Sequence, residues 1–148
     1  VTIKEYPDIL ADDGEYADKA KQIADKVLDV SELMTGMSFQ CRPIRAAVHA
    51  PCSLQHGQQI NGVIEDILIR SGIDIVPSQE GHLCCGSAGA YSVLQPRLSE
   101  ELKDAKLDAL QKGNPDVLVT ANIGCQLHLQ TGTEVPVLHW AELLLQQR

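Results

Sequence analysis

Aromatic side chains are scarce: Tyr6, Tyr16, Phe39, Tyr91 and Trp140 are the only ones in 148 residues. Aliphatic packing therefore has to carry the core. Long apolar runs are missing too. No stretch reaches the roughly 20 residues that a membrane helix needs, and no secretory signal is visible. Basic residues are outnumbered, 12 Lys and Arg against 20 Asp and Glu. The resulting net charge of −8 argues against a nucleic-acid partner and favours solubility. Arg42 and Arg45 are too few to make a basic patch. Repeats, low-complexity tracts and linkers are absent. The chain lacks an initiator methionine, which reads as a piece excised from a longer protein, yet its length suffices for one domain with a real core.

Cysteine is where the sequence is unusual. There are five, an odd number, and Cys84 and Cys85 are adjacent. Neighbouring cysteines cannot easily bond each other, because the small ring strains disulfide geometry. Without a signal peptide, five thiols point to a reducing compartment, the cytoplasm, and to metal or redox chemistry.

The hydrophobic rhythm predicts a helix over 15–34, with Tyr16, Ala20, Ile23, Val27 and Met34 near one face and Asp12 with Glu15 as a capping arrangement. A break runs from Gly36 to Pro43. "IRAAVHA" then reads as a strand, "GQQINGVIEDILIRSG" as a helix and "IDIVP" as a second strand. A short helix over 87–94 and a longer one over 97–112 follow, the latter expected to bury Leu98, Leu102, Ala105 and Ala109. "DVLVTAN" is a third strand, "CQLHLQTG" begins a helix, "VPVLH" is a fourth strand and "WAELLLQQ" a closing helix. Such alternation predicts an α/β fold: a mostly parallel sheet flanked by helices, a Rossmann-like three-layer arrangement, with an N-terminal helical segment. The expected division is a helical segment over 1–43 packed on an α/β domain over 44–148.

Ligands of open α/β sheets sit beyond the carboxyl ends of the strands. Cys52 follows the first strand, Cys84 and Cys85 the second and Cys125 the third, while His139 ends the fourth. Four of the five cysteines thus fall at one sheet edge, with His128 three residues after Cys125. Thiolates suit zinc and iron–sulfur clusters, and imidazole can complete either set. Helices starting after the cysteines would aim N–H groups at the sulfurs. Gly86 and Gly89 let the backbone approach closely, and His82 is expected to donate to a sulfur. His49, His56 and His139 are expected to be hydrogen-bonding loop and strand-end residues, and Cys41 to lie outside the group. A thiol–disulfide catalyst is the weakest reading, because efficient exchange usually uses a C-x-x-C pair.

"HAPCSL", "GHLCCGSAGAYSVLQP" and "TANIGCQLHLQ" together resemble the cysteine-rich CCG domain family, found in heterodisulfide reductase and related flavin-linked oxidoreductases. Within it, the likeness runs to the C-terminal domain of glycolate oxidase iron–sulfur subunits and covers essentially the whole chain. It implies an electron-transfer component serving flavin-containing subunits that oxidise glycolate or another 2-hydroxy acid. Ferredoxin-type clusters would lie on an N-terminal part, and the flavin and substrate pocket on another subunit. The resemblance thus assigns no catalytic or glycolate-binding residue to this chain. The implied metal ligands are Cys52, Cys84, Cys85, Cys125 and His128, and the implied cofactor is a 4Fe–4S-type cluster. Cluster-binding relatives end in C-x-x-C, whereas this chain has His128 at the second position, so a cluster with a histidine ligand, zinc or an empty site all stay open. A structural zinc-binding or subunit-docking domain is the alternative function. Through its complex the domain would at most be peripheral to the inner face of the cell membrane.

Overall fold

The computed structural model describes residues 1–147. It divides into two compact units, Val1–Thr35 and a larger one beginning at Gly36.

The first unit holds short helices α1 (Tyr6–Ile9), α2 (Ala17–Ala24) and α3 (Val30–Leu33). The single helix expected over 15–34 is broken between α2 and α3. The cause is local: Asp29 accepts from the Ser31 N–H at 3.0 Å while Glu32 accepts from the Asp29 N–H at 2.8 Å. This reciprocal cap starts a new helix instead of continuing the old one. The turn before α2 is held by Asp13, whose carboxylate accepts from the N–H groups of Glu15 and Tyr16 at 2.9 Å each. Asp12, the expected cap, is one residue off.

The second unit runs β1 (Arg45–His49), α4 (Val63–Arg70), β2 (Asp74–Ile75), α5 (Tyr91–Leu94), α6 (Pro96–Gln111), β3 (Val117–Thr120), α7 (Ile123–Gln130), β4 (Val137–His139) and α8 (Trp140–Gln146). All strand pairs are parallel, in the order β2-β1-β3-β4. Each strand is followed by a helix, as a parallel connection requires. β3 is buried at every position, the signature of a strand covered on both faces. Strand order reverses between β1 and β3, which opens a crevice at their carboxyl ends. The register aligns His49, Thr120 and His139 in one row at that edge.

In this unit two helix boundaries and one buried helix face differ from the expectation. α4 starts at Val63 rather than near 57, because the chain first makes a separate turn over Ser53–Gly57 and then bends at Gln59 and Gly62, both at positive φ. The short helix expected over 87–94 covers only Tyr91–Leu94, since Gly89 is left-handed at φ +55. α6 keeps its expected span but not its expected face. Leu98 is exposed, and the buried residues are Ser99, Lys103, Lys106, Leu107 and Leu110. Leucine spacing alone pointed to the wrong side of this helix.

The core gathers Ala47, Val76, Leu107, Leu110, Leu118, Leu129 and Val137 with Cys85 and Cys125. Leu118 lies between Ala47 of β1 and Val137 of β4 and is fully buried. Leu118→Ala should therefore cost about 2–5 kcal/mol. Urea unfolding monitored by circular dichroism would measure it, and a loss under about 1 kcal/mol would contradict a central role for β3.

Candidate metal centre

Cys52, Cys84, Cys85 and Cys125 all line one cavity of about 370 Å³ at the carboxyl edge of the sheet. Its remaining walls come from small residues at 87–89, from Ser53 and Gly124, and from Asn122. The cysteines differ in depth. Cys85 and Cys125 are buried in the core, Cys84 is half-buried and Cys52 is exposed. The cavity thus has two sulfurs in its floor and two toward its mouth.

Each loop is held by a specific bond. α7 is capped by Asn122, whose side chain accepts from the Cys125 N–H at 3.1 Å. The cap fixes Cys125 in the first turn of the helix. Cys84 and Cys85 sit on a turn that continues into Gly86, whose N–H donates to the Cys84 sulfur at 3.3 Å. Gly86 has φ +86, and a Cβ there would meet the Ser99 carbonyl oxygen at 2.3 Å. Ser99 in turn donates from Oγ to the Gly86 carbonyl at 2.8 Å. α6 is thereby pressed directly against the double-cysteine turn.

Lys106 grips the same loop further upstream. It is 1% exposed, and its Nζ donates to the carbonyls of Glu80 and Gly81 at 3.1 and 3.3 Å. Gln55 Nε2, from the turn after Cys52, donates to the carbonyls of Ala50 and Gly81 at 3.0 and 3.3 Å. Gly81 therefore ties the Cys52 and Cys84 loops together. Burial pushes the Lys106 ammonium down, while the cysteines, Cys85 foremost, hold it up. A buried cation within electrostatic reach of four sulfurs offsets the negative charge that thiolates bring.

The two floor sulfurs share a hydrogen bond at 3.0 Å. The Cys125 bond, and after it the neighbouring His49 imidazole and Ser87 N–H, hold the Cys85 thiol well below the usual thiol range despite burial. Cys125 is pushed up, first by that same bond and then by burial. The two thiols therefore titrate as a coupled pair, with Cys85 the more readily ionised. At Cys52, lost hydration and then the adjacent Cys84 push the thiol up.

His49 stands beside the floor pair. One of its ring nitrogens and the sulfurs of Cys85 and Cys125 all lie within 4.8 Å of one another, and all three residues are buried. Neither ring nitrogen makes a full hydrogen bond among the described residues, although the imidazole stands close enough to Cys85 to help lower its thiol. A signal was present in the sequence: a histidine ending an apolar strand three residues before Cys52. Lys106 and Ser99 left a fainter one, because they fall on a single helical stripe with Leu107 and Leu110.

The other candidates lie elsewhere. His128 is half-buried with Nε2 3.2 Å from Ser99 Oγ, behind the Gly86 turn, and is not among the residues lining the cavity. His82 is largely exposed and pairs with Glu80 at 3.4 Å. Gly89 lines the cavity, and a methyl group in place of its hydrogen would meet nothing within 4 Å. Cys41 is apart, its Sγ donating to the Leu144 carbonyl at 3.8 Å, and His139 caps α8 by accepting from the Ala141 N–H at 3.3 Å.

The two glycines separate close approach from backbone strain. Gly86→Ala meets both penalties and should cost roughly 3 kcal/mol or more, whereas Gly89→Ala meets only the left-handed backbone and should cost about 1–2 kcal/mol. Equal losses in urea unfolding would mean that α6 does not press on the turn as described.

Comparison with known proteins agrees with this geometry. Residues 46–130, more than half of the chain, match the cysteine-rich domain family, CCG. The glycolate oxidase iron–sulfur subunit of Escherichia coli (strain K12) is 43% identical over 97% of the chain. Lactate utilization protein A is 30% identical in Anoxybacillus flavithermus and 28% in Bacillus subtilis (strain 168), each over 95% of the chain. The chain spans 36% of the first relative's length and 64% of the other two. With its double-cysteine turn at the carboxyl edge of a parallel sheet, the chain belongs to the cysteine-rich CCG domain family.

Proposed function

We propose that this domain is an electron-transfer module of a 2-hydroxy-acid oxidoreductase, holding an iron–sulfur centre through Cys52, Cys84, Cys85 and Cys125. The convergence of four sulfurs on one cavity carries the reading. The donor set fits such a centre: soft sulfurs, an N–H bonded to Cys84, a buried cation nearby and an unpaired buried imidazole. When bound, a cluster supplies one-electron storage. The protein's own part is to hold the sulfurs in place, keep water from the floor pair and offset charge with Lys106. His128 joins the ligand set only if it gives up its contact with Ser99.

The relatives' names support the assignment, since one is an iron–sulfur subunit of glycolate oxidase and the others serve lactate utilization. Flavin-containing subunits are the proposed partners, and they would carry the substrate pocket. No helix among the described residues is long and apolar enough to cross a membrane. Any membrane association would run through the complex, on the cytoplasmic face, where thiols stay reduced.

A structural zinc site is the second reading, favoured by the mixed sulfur and nitrogen donors at the floor. Anaerobic purification with iron, sulfide and zinc analysis separates the two. The electron-transfer reading expects iron and acid-labile sulfide, lost in Cys84→Ser and Cys85→Ser with the fold retained. In the assembled complex the same variants should slow electron delivery to an acceptor while flavin reduction by glycolate continues. Zinc without sulfide would favour the structural role. Full metal content and full activity in both variants and in Cys125→Ser would leave the cysteines a packing role alone.

A further inference from the structure

His49 is the buried titratable side chain that the ligand set above leaves without a task. It is 1% exposed, and both ring nitrogens lack hydrogen-bond partners among the described residues. Thr120, its register partner on β3, is equally buried with its Oγ1 unpaired. Leaving such groups unsatisfied costs about 1–3 kcal/mol each, so a histidine placed here calls for an occupant. The nearest chemistry is the Cys85–Cys125 pair, 3.0 Å apart, with all three donor atoms within 4.8 Å of one another.

We propose that His49 is a metal ligand, forming with Cys85 and Cys125 an inner face of two sulfurs and one nitrogen for a thiophilic transition metal. This rests on the metal-binding reading of the cavity and extends it. Neutral imidazole and thiolate are the donors that zinc, cobalt and iron share. On binding, the metal displaces the thiol protons of Cys85 and Cys125 to solvent and also partners the unpaired ring nitrogen. The inner face is fixed by the core, because His49 is held in register with Thr120 of β3 and both cysteines belong to the core. Cys84 and Cys52 lie toward the cavity mouth, so the metal is gripped from inside and approached from the Cys52 side. A merely hydrogen-bonding His49, donating to the Cys85 thiolate from outside the coordination sphere, is the competing role.

Anaerobic titration of the 148-residue chain with Co²⁺, read by its visible absorption, distinguishes them. Removing an outer partner typically weakens metal binding about 10- to 100-fold. His49→Ala should exceed that loss and move the cobalt d–d bands. His49→Cys should recover tight binding with stronger sulfur-to-cobalt charge transfer. A weakening within the outer-partner range, with bands unmoved, would overturn the assignment. Should His49→Ala fail to fold by circular dichroism, ring-¹⁵N spectra of the unsubstituted chain with and without Zn²⁺ decide the matter. A large shift of one ring nitrogen supports ligation, and unchanged resonances refute it. Cobalt binding that survives both Cys85→Ser and Cys125→Ser, or that never occurs, would instead defeat the metal-binding reading itself.

Discussion

The hydrogen bond between Cys85 and Cys125 joins two loops that are 40 residues apart in sequence, and it does so inside the hydrophobic core. Burying two thiols in contact has an electrostatic consequence. Their shared bond makes Cys85 easier and Cys125 harder to ionise, and negative charge on either sulfur must be balanced locally. The surroundings of the pair follow from that demand. The Ser87 N–H and the His49 imidazole stabilise the Cys85 thiolate, and Lys106 places an ammonium within reach. Small residues on the cavity wall leave space where a bulky side chain would close it.

α6 is the element through which the fold meets this demand. A helix whose inward face carried only leucines would pack well but could not shape the site. Here the inward stripe alternates apolar and polar groups: Ser99 holds Gly86, Lys103 reaches Thr131 at the end of α7, and Lys106 holds Glu80 and Gly81. Each buried polar group is tied to a loop that frames the cavity or to the helix carrying Cys125. Packing and positioning are therefore done by one helix face. Buried lysines seldom occur without such partners, because an unpaired ammonium in the interior is costly.

Sheet topology supplies the remaining constraint. Because strand order reverses between β1 and β3, the chain diverges there and leaves a crevice. Cys52 and Cys125 enter it from the ends of these two strands, and the double-cysteine turn closes it from the loop after β2. The row of His49, Thr120 and His139 forms the polar carboxyl end of the sheet, above the apolar rows of Ala46 to Val48, Val117 to Val119 and Val137 to Leu138. Polar residues in that row mark where the core stops and the site begins.

Much of this was legible in the sequence. Short β-branched and alanine-rich runs, spaced by amphipathic segments, determined the four parallel strands, because each run could be satisfied only by burial in a sheet. The same spacing placed Cys52, Cys84, Cys85 and Cys125 at strand ends, and hence at one edge. Helix limits near 25–29 and 57–62 depended on local caps and left-handed turns, which apolar periodicity does not register. The choice of buried face on α6 was decided by tertiary contacts, since Lys103 and Lys106 read as solvated until their partners are in place. The placing of His49 and His128 was decided in the same way. Linear spacing put His128 beside Cys125, but helix direction turned it toward Ser99, while strand pairing carried His49 under the two buried sulfurs. Sequence neighbours set which atoms are available, and only the folded chain sets which of them meet.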